Sequence, residues 1–277
     1  RLLAWMAIMS GFWLMMYQLW DTQPNFIADW VDSRPLVEVF RHLPPDAFHA
    51  LTESTSRGLM VPQQVLLSAN ALFIIAGVLG VAWLTRRMRT LEAMLIGMFM
   101  ATAGLLVAGC TSSVWMVLLG IFFFSLGEMT TGPKKSEYLG LIAPPGKKGL
   151  YLGYVNIPVG IGVFLGSKIA GYVYGHYGEK AVLALKYLAT HGPPIEGRSW
   201  DGHVASLEGV VGVPRSEAMN RLVEVTGLDH PEATRLLWET YAPHWHVWLP
   251  FAAIGLVSAF ALWVFGRKAR QWADMDA

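Results

Sequence analysis

The sequence contains little charge and almost no cysteine. Of its 277 residues only 15% are charged, and Cys110 is the single cysteine. A soluble domain carries about 25% charged residues, so this composition is that of a membrane protein. One cysteine excludes an intrachain disulfide and a metal site built from cysteines. The formal net charge of +1 gives no basis for nucleic-acid binding.

Signatures of common enzymes are also missing from the sequence. It contains no nucleophile elbow, no HExxH motif and no paired acidic motif that would hold a metal. We therefore predict no cofactor and do not interpret the chain as an enzyme. His244 and His246 are separated by one Trp, which is a weak metal signal, and we interpret both as interface residues.

The chain does contain six apolar segments of about the length that crosses a bilayer, which is ~20 residues. They lie near residues 2–20, 63–85, 91–110, 113–131, 150–175 and 245–266. The prediction is an all-α membrane protein with six transmembrane helices. Its parts are helices one to five (1–175), a small helical insertion outside the cytoplasm (176–243), and the sixth helix with a cytoplasmic tail (244–277).

The distribution of basic residues predicts the orientation in the membrane. Ten lysines and arginines follow the second, fourth and sixth spans: Arg86, Arg87, Arg89, Lys134, Lys135, Lys147, Lys148, Arg267, Lys268 and Arg270. The turn around Thr111 has none. By the positive-inside rule both ends of the chain are cytoplasmic, so residues 21–62 and 176–243 are external. The localisation that follows is a multi-pass protein of a bacterial inner membrane.

Three stretches of the insertion have helical patterns. EKAVLALKYLATHG is predicted to end at Gly192 and Pro193, and SEAMNRLVEVTG is predicted to stop at Gly227. DHPEATRLLWETYA begins with Asp229 as an N-cap and has Glu232 three residues on, which is close to a capping box.

Glu128 is the most informative residue because it lies inside the fourth apolar run. A carboxylate at membrane depth costs ~2.5 kcal/mol or more, so such residues usually face a bundle interior or a water-filled path. The sequence shows no positive charge beside it within that run. The alternative is that Glu128 lies near the interface and is solvated there, or forms a structural pair with a Lys or Arg.

Polar residues also interrupt three other spans. Trp13, Tyr17 and Asp21 are spaced for one face of the first helix. Asn70 breaks the second span, and Asn156, Pro158 and Lys168 break the fifth, together with Gly153, Gly160, Gly162 and Gly166.

These interrupting residues also have structural interpretations. Asn70 is explained by an interhelical hydrogen bond, and the glycines by close helix approach. Lys168 either reaches toward the surface or pairs with an acid such as Asp21.

A local contact can explain one polar group in one span. Polar groups in four spans are harder to explain in this way, because each must find a hydrogen-bond partner within the hydrocarbon. An aqueous cavity between the helices accounts for all of them. The pattern therefore favours a transporter over a simple membrane anchor.

Three motifs carry a resemblance to a known family: FWLMMYQ (12–18), PQQVLLSANALFII (62–75) and GEMTTGPKKSEYLGLIAPPGKKGLYLGY (127–154). They resemble the proton-coupled oligopeptide transporters of the major facilitator superfamily. The first is similar to the start of the C-terminal half of that family, the second to the following helix, and the third to the tenth helix and the loop after it. The resemblance covers residues 1–175 and the last helix, and it implies one six-helix half of a twelve-helix fold. The start at Arg1, without Met or a signal peptide, is consistent with such a fragment.

The resemblance also implies roles for individual residues. Glu128 would receive the amino terminus of a substrate, Asn70 would contact the peptide backbone or its carboxylate, and Trp13 would line the cavity. Tyr17 occupies the place of an acid that the family uses for gating and proton coupling, which leaves Asp21 as the nearest substitute. We include Asn156 among the substrate-binding candidates, and Asp21, Glu128 and Lys168 among those for proton coupling or gating.

The function predicted from these observations is secondary active transport, with proton-coupled uptake of small peptides or similar amino-group-bearing solutes. Its partners would be an N-terminal six-helix half, the lipid bilayer, the substrate and protons. The alternative is a facilitator-fold transporter or sensor for a non-peptide solute that has lost proton coupling, which the departure at Tyr17 motivates.

Overall fold

The computed structural model describes residues 1–192 and 199–269, and helices dominate this part of the chain. The helices before the third spanning segment are α1 (Leu2–Met16), α2 (Gln18–Asp21), α3 (Gln23–Trp30), α4 (Arg34–Phe40), α5 (Pro45–Ala50) and α6 (Gln63–Thr85). A hairpin of β1 (Glu53–Thr55) and β2 (Gly58–Met60) lies between α5 and α6. The following helices are α7 (Thr90–Gly109), α8 (Val114–Leu141), α9 (Lys148–Gly153), α10 (Ile157–Tyr177), α11 (Lys180–His191), α12 (Leu207–Val211), α13 (Ala218–Thr226), α14 (His230–Tyr241) and α15 (Pro243–Ala269).

The described residues include six helical segments that are long and apolar enough to cross a membrane. They are Leu2–Asp21, Gln63–Thr85, Thr90–Gly109, Val114–Ile142, Lys148–His191 and Pro243–Ala269. The predicted all-α fold with six spans is confirmed. The first segment comprises α1 and α2, which are separated at Tyr17, and α10 is the 21-residue helix within the fifth segment.

Glycines bring α7 and α8 into backbone contact. A Cβ atom added at Gly104 would lie 2.6 Å from the carbonyl oxygen of Gly120, and one added at Gly120 would lie 2.7 Å from the Cα of Ala108. Without a hydrophobic effect between helices in lipid, such close packing is a main source of association. These two helices therefore form a tightly packed pair.

The first helix packs against α10 in a similar way. A Cβ at Gly162 would lie 2.7 Å from the backbone nitrogen of Leu14, and one at Gly166 would lie 3.2 Å from the Leu14 carbonyl oxygen. The structural interpretation of these two glycines, close helix approach, is confirmed. Gly153 and Gly160 differ, since a Cβ at either position would meet no atom within 4 Å among the described residues.

The predicted end of the fourth span, at residue 131, is wrong. The helix α8 continues through Pro133 to Leu141, so Lys134 and Lys135 lie in the helix rather than in a loop. Packing explains the continuation, because the buried Tyr138 ring stacks on Trp5 at 5.3 Å between centroids. Neighbouring helices often hold a proline-containing segment in helical form within a bilayer.

The extent of α8 sets the position of Glu128 along the helix. This residue lies 14 residues after the first residue of α8 and 13 before the last. At 1.5 Å per residue it is ~20 Å from either end. Glu128 therefore lies near the middle of the helix.

The fifth span is also less regular than predicted. The helix α9 ends at Gly153, a short 3₁₀ turn covers Tyr154–Asn156, and α10 begins at Ile157. Pro158 is at the start of α10, where a missing backbone N–H removes no intrahelical hydrogen bond. It therefore marks a helix start rather than a kink.

The insertion and residues 22–62 lie at the same end of the bundle. Trp30 of α3 donates through Nε1 to the Gly178 carbonyl oxygen at 2.8 Å, and the Asp32 amide donates to the Ser112 carbonyl oxygen at 2.8 Å. The turn between α7 and α8 is thus at this end too, as alternation of the spans requires. We call this the insertion end.

The three predicted helices of the insertion are present as α11, α13 and α14. Gly227 ends α13 in the left-handed region at φ +70°. Both hydrogen bonds of the capping box at Asp229 and Glu232 are formed. The predicted stop at Pro193 and the charge at Arg270 lie outside the described residues.

The α7–α8 contact generates a stability prediction. We expect Gly120→Ala to lower the free energy of unfolding by about 1–3 kcal/mol, because the added methyl group meets backbone atoms that cannot move aside. Thermal unfolding of the purified protein in detergent measures the change.

The matched control is Gly132→Ala on the same helix, where a Cβ would meet no atom within 4 Å among the described residues. It should leave the unfolding midpoint unchanged or raise it slightly, since Ala is the better helix former by up to about 1 kcal/mol. Equal midpoints for the two variants would contradict the packing account.

Candidate functional site

Glu128 and Asn70 join α8 to α6. The Asn70 side-chain nitrogen donates to Glu128 Oε2 at 3.1 Å and to Ser125 Oγ at 2.9 Å. Asn70 is only 6% exposed, while Glu128 is partly buried. The Ser125 hydroxyl donates in turn to the Ile121 carbonyl oxygen at 2.7 Å. The amide of Asn70 thus fixes one carboxylate oxygen of Glu128 and leaves further acceptor positions on that carboxylate.

A positive charge lies near Glu128, although none adjoins it within the fourth apolar run. Lys135 follows it by seven residues on α8, interacts with it electrostatically, and is partly buried. The Lys135 ammonium lies 4.3 Å from the centroid of the Trp13 ring on α1. This is a cation–π contact, which is stronger where water is excluded. Among the described residues, no carboxylate lies within ion-pair distance of Lys135.

Lys134, the neighbouring residue, has a different environment. Its ammonium pairs with Glu137 at 2.8 Å, and Glu137 also accepts a hydrogen bond of 2.6 Å from Thr90 on α7. These contacts tie α8 to α7 and satisfy the Lys134 charge. Of the two adjacent lysines, Lys135 is therefore the one whose ammonium remains available.

Aromatic rings connect the first span to the Glu128 region. The Tyr17 and Trp20 rings have centroids 5.8 Å apart, and Trp20 meets Phe124 edge-on at 5.8 Å. Phe124 precedes Glu128 by one turn of α8. Trp20 is 41% exposed, so this edge of the site is open in the described chain.

The structure brings together some of the residues singled out in the sequence. Glu128 and Asn70 are in contact, the Trp13 ring lies against Lys135, and Tyr17 connects through Trp20 to Phe124 on the helix of Glu128. Asn156 is exposed at the start of α10 and shows no hydrogen bond to these residues.

The two remaining coupling candidates do not meet each other. The Asp21 carboxylate accepts a hydrogen bond from Ser167 of α10. Lys168 is exposed and its ammonium lies 5.2 Å from the centroid of the Phe164 ring, so the pairing with Asp21, one of its two alternatives, does not form. The contact with Phe164 agrees with the other alternative for Lys168, in which its side chain extends along an apolar surface.

Sequence reasoning missed Lys135, Ser125 and Trp20. Lys135 follows Glu128 by two helical turns, a spacing that places both residues on one face of a continuous helix. The prediction that the helix ends before Lys135 concealed this relation. Ser125 lies three residues before Glu128 and was detectable by the same rule.

The two histidines at the start of α15 stack on aromatic rings. His244 stacks on Trp238 at 4.3 Å between centroids, and His246 stacks on Tyr177 at 5.8 Å. Residues 1–192 and 199–269 contain no group of three or more His, Cys, Asp and Glu side chains placed to hold a metal. Both histidines therefore lie where the insertion end meets the spanning helices.

Comparison with known proteins identifies the family. The model of the Major Facilitator Superfamily matches residues 46–187, about half of the chain. No curated protein matches the sequence significantly. The match covers α6, α7, α8 and α10, including Asn70, Glu128 and Lys135 of the site. The chain therefore belongs to the major facilitator superfamily, whose members are transporters, and is an integral multi-pass membrane protein.

Proposed function

We propose that this chain is the C-terminal half of a secondary active transporter that takes up small peptides, or similar solutes bearing an amino group, together with protons. The observation that carries the proposal is the Glu128 carboxylate at the middle of α8, held by Asn70 and lying on the same helix as an available ammonium, Lys135.

The two charges suit a solute with opposite charges at its ends. Glu128 offers acceptor positions for a solute ammonium, and Lys135 offers donors for a carboxylate. Seven residues of α-helix separate their backbones by ~10 Å along the axis. An extended di- or tripeptide spans ~7–11 Å, so its ends match this separation.

Proton coupling is proposed to act through competition at the same carboxylate. A carboxylate favours its neutral form when it is desolvated and its charged form when a cation is near. A proton, the solute ammonium and Lys135 are all partners that neutralise Glu128. Movement of the two halves around the site would change which of them is present, as alternating access requires.

The site needs a second wall, which we assign to an N-terminal six-helix half. Trp20 is 41% exposed, which leaves its edge of the site open among the described residues. A partner bundle placed against that edge would close the site. The proposed setting is the bacterial inner membrane, with the insertion end external, as the basic residues near the other end favour.

A second candidate is a transporter or sensor for a non-peptide solute without proton coupling. It is supported by Tyr17, which replaces the expected acid, and by Asp21, which is hydrogen-bonded to Ser167. A thermal-stability screen with di- and tripeptides separates the two candidates. Stabilisation by peptides supports the first, and no shift with any peptide supports the second.

The first prediction concerns the carboxylate. In proteoliposomes that contain the full-length protein, Glu128→Gln should abolish uptake of a dipeptide driven by a proton gradient, because the neutral amide neither exchanges a proton nor pairs with an ammonium. Glu53→Gln, an exposed position on β1, is the control and should retain normal uptake. Undiminished uptake by Glu128→Gln would refute the assignment.

The second prediction concerns Lys135. Lys135→Gln should raise the KM for a dipeptide about 10- to 100-fold, since a hydrogen bond to a charged group contributes about 1.5–3 kcal/mol. The KM for the same dipeptide with an amidated carboxyl end should change little.

Lys148→Gln is the matched control, at an exposed position on α9, and should leave both KM values unchanged. Equal losses for the free and amidated peptides in Lys135→Gln would show that Lys135 has only a structural role.

A further inference from the structure

A cavity of about 230 Å³ lies at the insertion end, away from Glu128. Its wall combines α3, the segment after it, the hairpin, the turn between α7 and α8, and α14 of the insertion. Three arginines and two tryptophans line it: Arg34, Arg57, Arg235, Trp30 and Trp238. This combination of groups has no role in the proposed transport site.

The three arginines supply more hydrogen-bond donors than the described residues use. Arg57 donates to the carbonyl oxygens of Val31 at 3.1 Å and Ala28 at 2.5 Å, and Arg34 binds the Asp32 carboxylate through two nitrogens at 2.9 and 2.7 Å. A guanidinium has five N–H donors, so each keeps donors in reserve. Arg235 is exposed and makes no hydrogen bond or ion pair with the described residues.

The acceptors of the cavity are largely occupied. Among the described residues that line it, Asp32 is the only one with a carboxylate, and both of its oxygens bind Arg34. The hydrogen bond from Arg34 holds the pKa of Asp32 below its usual value, so this carboxylate stays ionised and paired. The Ser112 carbonyl oxygen accepts from the Asp32 amide, and the Thr234 hydroxyl donates to its own helix. The cavity is therefore rich in donors and poor in free acceptors.

The tryptophans form a fixed apolar wall. Their ring centroids are 5.8 Å apart. The Trp30 ring is held by its hydrogen bond to Gly178, and the Trp238 ring is held by stacking on His244. Because both rings are already oriented, a planar apolar group can pack against them without ordering them first.

We propose that this cavity binds a small organic carboxylate with an aromatic body. The carboxylate pairs with Arg235 and with the reserve donors of Arg34 and Arg57, since the guanidinium fork matches a carboxylate in two parallel hydrogen bonds. The aromatic body packs against Trp30 and Trp238. The insertion thus completes a binding site, because Arg235 and Trp238 belong to α14.

Benzoate, benzamide and inorganic phosphate are the probes that test this proposal by isothermal titration calorimetry on the full-length protein in detergent. Benzoate should bind saturably. Benzamide, which lacks the charge, and phosphate, which lacks the ring, should each bind at least tenfold more weakly. Arg235→Gln should weaken benzoate binding at least tenfold.

The control variant is Arg221→Gln, an insertion arginine that pairs with Glu224 at 2.7 Å outside the cavity and should bind benzoate normally. Glu128→Gln should also bind benzoate normally, which separates this site from the transport site. Unfolding midpoints establish that each variant is folded. Absence of saturable benzoate binding, unchanged affinity in Arg235→Gln, or equal binding of benzamide or phosphate would each overturn the proposal.

Discussion

The Glu128 carboxylate near the middle of a membrane helix is the constraint on which the interior of this bundle depends. Such a group is stable there only with polar partners or water, because desolvation of an isolated charge costs several kcal/mol or more. Asn70 supplies one hydrogen bond from α6, and Lys135 supplies an opposite charge from α8 itself. Trp13 then stabilises the Lys135 ammonium from α1. Three spans are thus linked through one acid.

The packing of the other spans explains how this arrangement is held. The backbone contact between α7 and α8 fixes the helix that carries Glu128 and Lys135, and the pairing of Lys134 with Glu137 next to Thr90 secures its second half. The glycines of α10 place this helix against α1, which carries Trp13. The tightly packed helices are therefore a scaffold for the helix that carries Glu128 and Lys135.

The number of spans and the insertion helices were predictable, since apolar length and capping signals are local features of the sequence. The lone acid in the fourth apolar run also drew attention to Glu128, which the structure joins to Asn70. The extent of α8 was not predictable, because Pro133 and two lysines resemble a helix end. The burial of Tyr138 against Trp5 and the contacts of Lys134 and Thr90 with Glu137 override that signal. The error placed Lys135 in a loop and so separated it from the helix that carries Glu128. The contact of Asp21 with Ser167 joins two different helices, which spacing along one helix does not reveal. Lys168 instead lies over Phe164, one turn earlier on its own helix.

The central claim is that Glu128 binds the amino group of a solute, and it is tested most directly by comparing dialanine with N-acetyl-dialanine. Calorimetric titration of the full-length protein should show that dialanine binds at least tenfold more tightly, since acetylation removes the ammonium. In Glu128→Gln the account predicts that this preference disappears, with the weak binding of the acetylated peptide unchanged. A preference for the free amine that persists in Glu128→Gln would contradict the account.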